Sequence, residues 1–249
     1  MKTVPEHRAT IRPEENGCMK DSGHGVIRLL TGMRDARLVW DTLGFLYNQR
    51  IYPLIAGLYE SIAEELKVQD GARILEAGAG RGYLSLLLAS RNPKARFTGI
   101  DFSRMQVRRA ERYRLQKKIF NCSFQQNDVQ SLPFPEAAFD AAVSVGSIKH
   151  WSDSRRGLSE LRRVIKPGGC LMIAETNRKT PDDELREFGK RFPVPFVPRG
   201  LLFWGLRRVV FGQSLSEDQL ADAAGRAGFY PVERRPVTTC PYVMVKAWK

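Results

Sequence analysis

Between Ala72 and Thr176 the chain changes its hydrophobic period repeatedly, and this constrains the fold more than any other feature. Strand-like runs at 72–78, 95–101, 122–128, 139–147 and 170–176 are interleaved with helix-like runs at 83–90, 103–118 and 154–165. Strands joined through helices need crossover connections, and crossovers of one hand lay the strands parallel with helices on both faces. Ser103 is placed to cap the long helix, and Lys166-Pro167-Gly168-Gly169 ends the last one. The C-terminal part breaks the alternation. A helical run at 216–228, closed by Gly228, leads into "YPVERRPV" and "PYVMVKAWK", two strand-like runs with no helix between them. The expected architecture is α/β and Rossmann-like: a mostly parallel seven-stranded sheet with helices on both faces and an antiparallel C-terminal strand pair.

Upstream, residues 1–25 are polar, with glycines at 17, 23 and 25, and read as a loose lead-in. Ile51, Leu54, Ile55, Leu58, Ile62 and Leu66 then recur at helical spacing until Asp70-Gly71 makes a turn. This divides the chain into an N-terminal helical cap over 1–69 and a main domain over 70–249. The main domain carries an insertion at 177–215 rich in proline and aromatic residues. The N-terminus has no apolar segment of a secretory signal, and no stretch of 18 apolar residues suggests a membrane span. Cys18, Cys122, Cys170 and Cys240 are scattered and form no C-x-x-C pair. The expectation is a cytoplasmic protein with no metal. The net charge of +13 leaves nucleic acid, anionic lipid or an acidic substrate as partners, or a generally basic enzyme.

Chemistry concentrates after the first strand. Gly78, Gly80 and Gly82 alternate through "ILEAGAGRGYLSLLLA", between a strand and the helix it opens. Glycine admits positive φ and lets a ligand lie on bare backbone, and the helix start offers unpaired N–H groups. Glu76, four positions into the first strand, is placed to point a carboxylate toward this loop or to be a buried salt-bridge partner. Asp101 ends the second strand, 19 residues after Gly82, where it can accept from both hydroxyls of a ribose or serve as a helix-start carboxylate. Asp128 ends the third strand, placed to accept from an adenine amino group or to stand as a loop acid.

Glu76-Ala-Gly78-Ala-Gly80-Arg-Gly82, Asp101, Asn127-Asp128, "LPFPEAAFDAAVS" and "LRRVIKPGG" together resemble the class I S-adenosylmethionine-dependent methyltransferases, in particular the small-molecule and quinone-type branch. The resemblance covers roughly 70–176 and implies a cofactor, S-adenosylmethionine, with S-adenosylhomocysteine as product. It implies that Glu76, Gly78, Ala79, Gly80 and Gly82 hold the methionyl half, and that Asp101 and Phe102 hold the ribose and adjoin the adenine. Asn127, Asp128 and Val129 would then meet the adenine, and Ser144, Val145, Gly146 and Ser147, after strand four, would line the transfer face. Tyr47 would close over the cofactor from the N-terminal cap.

His150, just past strand four, has the pKa class of a general base, or it lines the substrate. Lys149 is expected to orient an anionic acceptor or to be solvated, and Trp151 to wall the pocket or pack the next helix. Within the insertion, 199–211 reads as a nearly apolar helix carrying Arg199, Arg207 and Arg208. As a lid it would place Phe203, Trp204 and Phe211 over an apolar or lipid-like small-molecule acceptor, or touch an anionic membrane; alternatively it only covers the sheet. Two other readings stay open. RNA could track Arg104, Arg108 and Arg112, and the chain could be a non-catalytic cofactor-binding subunit.

Overall fold

A computed structural model describes residues 44–192 and 197–249, with side chains from Tyr52 onward. The lead-in, Cys18 and the side chain of Tyr47 lie outside the described residues. Helix α1 spans Gly44–Leu66, followed by β1 (Arg73–Ala77), α2 (Tyr83–Arg91), β2 (Arg96–Asp101), α3 (Arg104–Gln116), β3 (Cys122–Gln126) and β4 (Phe139–Val145). A 3₁₀ turn, Ile148–His150, leads to α4 (Ser154–Val164) and β5 (Ile165–Thr176). The insertion forms α5 (Asp182–Lys190) and α6 (Arg199–Gly205), which runs into a π-helical turn, Leu206–Phe211. Helix α7 (Glu217–Arg226), β6 (Val232–Arg235) and β7 (Tyr242–Trp248) complete the fold.

The sheet has seven strands in the order β3-β2-β1-β4-β5-β7-β6. Strands β1 to β5 are mutually parallel, and β7 is antiparallel to both β5 and β6. Only β7 therefore runs against the others, because the 236–241 segment joins it to β6 without a crossover helix. The order turns at β1, with β2 on one side and β4 on the other. This is the topological switch point, where loops part and a crevice opens beyond the carboxyl ends of the strands.

Alternation along the strands sorts the core into two layers. Ile74, Val143, Met172 and Met244 face one layer with Leu58 and Ile62 of α1, Leu84 and Leu88 of α2, and Leu185 and Phe188 of α5. Leu75, Ala142, Ile173 and Val245 face the other with Leu158 and Leu161 of α4 and Leu220 of α7. Helix starts follow local chemistry. Ser103 accepts from Gln106 N, Asp153 from Arg156 N, and Ser216 makes a reciprocal capping box with Gln219.

The insertion differs from expectation in having helix α5. Its signal was present, since "DDELREFGK" has acids in the first turn, a lysine in the last, and Leu185 and Phe188 on one face. Strand β5 also starts earlier than Cys170. Ile165 already pairs with Phe139, and the register shifts before Ala141 meets Cys170. The Pro-Gly-Gly stretch is absorbed as an irregularity within the strand.

Candidate active site

A cleft of about 240 Å³ opens at the switch point. Its floor is the glycine loop. Gly78, Gly80 and Gly82 all take positive φ, at 75°, 53° and 76°. At two of them, the neighbour that excludes a side chain is the protein itself. A Cβ on Gly78 would lie 2.0 Å from Ser147 Oγ, and one on Gly82 would lie 2.3 Å from the Phe124 ring. The loop is thereby pressed against the β4 exit on one side and against β3 on the other.

Gly82 is also the N-cap of α2 and has no side chain to cap with. Glu76 of β1 does that work. Its Oε2 accepts from Ser85 N at 3.0 Å and from the Ser85 hydroxyl. The residue is 4% exposed, and burial pushes its carboxyl up to about 7, against the lowering effect of the Ser85 hydrogen bonds, with the charge of Asp101 adding to the rise. Glu76 also lines the cleft.

Asp101 ties the loop to the next helix. Gly80 N–H donates to its Oδ2 at 2.8 Å and Ser103 N–H to its Oδ1 at 2.8 Å. Asp128 accepts from Gln130 N at 2.9 Å and from the Gln130 side chain. Gln130 Oε1 in turn accepts from Asp153 N at 2.7 Å and the Ser152 hydroxyl at 3.0 Å, linking the β3 exit to the start of α4. Past β4, the Trp151 indole donates to Ser147 Oγ at 2.9 Å. The three exits are cross-tied along the cleft floor.

The cleft walls include Glu76, Gly78, Ala79, Gly80, Asp101, Phe102, Asn127, Asp128, Val129, Val145, Gly146, His150 and Trp151. Five expected site residues are placed elsewhere. Gly82 faces Phe124. Ser144 is fully buried and donates to Ala77 O at 2.9 Å, a bond between the central strands β4 and β1 rather than a cleft group. Lys149 is outside the cleft lining and away from solvent: its side chain is 3% exposed and its Nζ pairs with Glu175 Oε1 at 2.9 Å. Phe203 lies beneath the Arg186 guanidinium at 3.9 Å, and Trp204 is on the outer surface. With Leu206 and Phe211 drawn into the core, α6 and its π turn cover the sheet rather than roof the cleft.

Sequence reasoning missed the aromatic wall. Tyr52 of α1 stacks on Tyr83 of α2 with ring centroids 4.2 Å apart, and Tyr59 lies 5.9 Å from Tyr52. Tyr242, the first residue of β7, brings its hydroxyl to 3.7 Å from where a Cβ on Gly146 would stand. All four tyrosines line the cleft. Arg81 is also there, its guanidinium 5.7 Å from the Tyr83 ring centroid.

The buried thiols take no part. Burial pushes Cys122 up to about 12 and Cys240 up to about 11, so neither is a nucleophile near neutrality. Among the described residues, no group of three or more His, Cys, Asp or Glu is arranged to hold a metal ion, and no helix is long and apolar enough to cross a membrane.

Residues 74–169 match the protein family described as "Methyltransferase domain". An O-methyltransferase of Aspergillus nomiae is 33% identical over 147 residues, covering 57% of this chain and 65% of that protein. A demethylmenaquinone methyltransferase of Thermus thermophilus is 36% identical over 103 residues, covering 41% of this chain and 46% of that protein. The chain thus spans about half to two thirds of the length of these relatives. Among solved structures, a SAM-dependent methyltransferase from Aquifex aeolicus aligns with a TM-score of 0.57 at 19% identity, covering 76% of this chain and 88% of that one. The cyclase SpnF aligns with a TM-score of 0.61 at 21% identity, covering 84% and 96%. The sheet order, the glycine loop at the switch point and the match over its strands agree: residues 74–169 carry a methyltransferase domain, and the chain is similar in fold and sequence to the class I S-adenosylmethionine-dependent methyltransferases.

Proposed function

We propose that the protein moves a methyl group from S-adenosylmethionine to a small, largely apolar acceptor. One observation carries the reading. In a chain of net charge +13, the cleft gathers Glu76, Asp101 and Asp128 at the ends of three adjacent strands. An acidic cleft in a basic protein suits a cationic ligand without phosphate, and S-adenosylmethionine carries an ammonium and a sulfonium. The residues present fit it. Glu76 would hold the ammonium, Asp101 the ribose hydroxyls and Asp128 the adenine amino group, with Phe102 and Val129 beside the ring. When bound, the cofactor supplies an electrophilic methyl group.

The chain's own part is alignment and exclusion of water. The cross-tied exits fix the loop, and Tyr52, Tyr59, Tyr83, Tyr242 and Trp151 give the remaining walls an apolar body with polar tips. His150 is the side chain suited to take a proton from an acceptor hydroxyl at its imidazole. The relatives named for O-methylation and for a quinone acceptor support this substrate class. Val197, Leu201 and Trp204 are 38%, 58% and 36% exposed at three- and four-residue spacing, in a segment that also carries Arg199 and Arg208. These exposed apolar and basic residues support contact of the insertion with an anionic lipid surface.

The cyclase neighbour is a reminder that this fold does not itself fix the chemistry. The test is incubation of purified protein with methyl-labelled S-adenosylmethionine and cell extract, followed by fractionation. Label in the organic-extractable pool is expected. Label confined to RNA or protein would overturn the acceptor class. Calorimetric binding of the cofactor with no label in any pool would overturn methyl transfer.

A further inference from the structure

One buried charged cluster plays no part in the cleft as described. Lys149 Nζ donates to Glu175 Oε1 at 2.9 Å and to Thr176 Oγ1 at 3.0 Å, and Lys149 N points to Glu175 Oε2 at 3.5 Å. Thr176 N also donates to Glu175 Oε1, and Thr176 Oγ1 lies 2.5 Å from Ser214 Oγ. Lys149 is 3% exposed and Glu175 is 0% exposed at the side chain. Two ions removed from water gain little stability over a well-packed apolar pair, because desolvation offsets their attraction. Stability alone therefore gives a weak reason for the cluster. Its position gives a better one.

Lys149 is the central residue of the 3₁₀ turn that ends at His150, and Glu175 is at the exit of β5, beside β4. In that turn successive side chains point about 120° apart, so a lysine pinned below the turn fixes where the next residue goes. Glu175 also feels the charge of His150. Thr176 pairs with Tyr242 in the β5–β7 register, so the same cluster adjoins two cleft residues, His150 and Tyr242.

We infer that the Lys149–Glu175 pair is a positioning device that holds the His150 imidazole toward the cleft and balances the charge beneath it. Its catalytic consequence rests on the reading of His150 as proton acceptor, while its structural content does not.

The test uses the intact chain and no acceptor. The sequence has three histidines, so the imidazole of His150 can be assigned by comparison with His150→Gln and titrated by nitrogen-15 NMR. Lys149→Met leaves the Glu175 carboxylate uncompensated and should raise the His150 midpoint. Glu175→Gln leaves the ammonium and should lower it, each by roughly half a pH unit or more. The other charged or titratable groups around the turn are Glu76, Arg81, Asp101, Asp128 and Asp153, with the tyrosines at 52, 59, 83 and 242, and all are common to the three proteins. Shifts in opposite directions support the device. Shifts of one sign, or none, overturn it.

If the single variants do not fold, Lys149→Met/Glu175→Met, which buries no charge, decides. The expected result is a folded protein whose His150 signal broadens or splits between tautomers, and a signal identical to the parent's overturns the inference. Should His150→Gln transfer methyl groups at the parent's rate while the midpoints move as expected, the base reading fails and the positioning stands.

Discussion

Glu76 carries the most quantitative expectation. Its carboxyl is held up at about 7 by burial, although Ser85 donates to it twice. A cationic ligand binds the carboxylate form, so below pH 7 binding must expel a proton. About a tenth of the molecules are ionised at pH 6 and about nine tenths at pH 8, and apparent affinity scales with the competent fraction. S-adenosylmethionine should therefore bind about tenfold more tightly at pH 8 than at pH 6. Calorimetry at pH about 6, in two buffers of different ionisation heat, should report close to one proton released per site. Glu76→Gln removes the titrating group, so the remaining pH dependence should be only the cofactor's own. An equal slope in parent and variant would refute the reasoning.

The same shift has a stability face. Between the ordinary value of 4.5 and about 7, the folded state keeps a proton on Glu76 that the unfolded state has lost. Stability therefore falls as pH rises through that window, by about 3 kcal/mol in all, and Glu76→Gln should melt higher than the parent at pH 8. A helix start without a capping side chain is thus satisfied by a carboxyl that is costly to ionise, and a bound cation would recover that cost.

Two further substitutions separate binding from folding. Asp101→Asn should weaken cofactor binding by roughly 1–3 kcal/mol in calorimetry, with a smaller loss in thermal melts, since one oxygen can still accept from Gly80 or Ser103. Loss confined to the melt would make Asp101 a loop staple alone. Gly82→Ala should do the reverse, because its Cβ meets the Phe124 ring at 2.3 Å in a left-handed backbone: a destabilisation of about 1–3 kcal/mol, partly recovered by Phe124→Leu. A melt equal to the parent's would show that β3 yields at no cost.

The sheet was legible in the sequence because period and connection are local properties, and the acids at strand ends were legible because strand exits converge on the switch point whatever the loops do. The tyrosine wall was not. Tyr52, Tyr83 and Tyr242 come from α1, α2 and β7, and each looks like a core or strand residue until the tertiary fold stacks two of them at 4.2 Å. Lys149 misled through adjacency. Beside His150 in sequence, it points elsewhere because its partner, Glu175, lies 26 residues away across the sheet edge. The 199–211 helix left both a lid and a sheet cover open because an apolar run does not say which surface it covers, and Phe211, at 0% exposure, packs in the core.

The glycine loop holds the deeper lesson. Read as a sequence, its three missing side chains ask for a ligand. In the structure, Gly78 and Gly82 are emptied first for Ser147 and Phe124, and Gly80 offers its N–H to Asp101. The loop is therefore shaped before anything binds. Ser147, whose hydroxyl blocks a side chain at Gly78, is itself held by Trp151, and Gln130 carries the same linkage from Asp128 to Asp153. Loops tied to one another in this way cannot shift singly without breaking a bond at a neighbour. For the methyl transfer proposed above, whose electrophile is already activated, rate would depend chiefly on holding acceptor and donor in line, and a floor assembled from such reciprocal contacts would supply that alignment without reorganisation on binding.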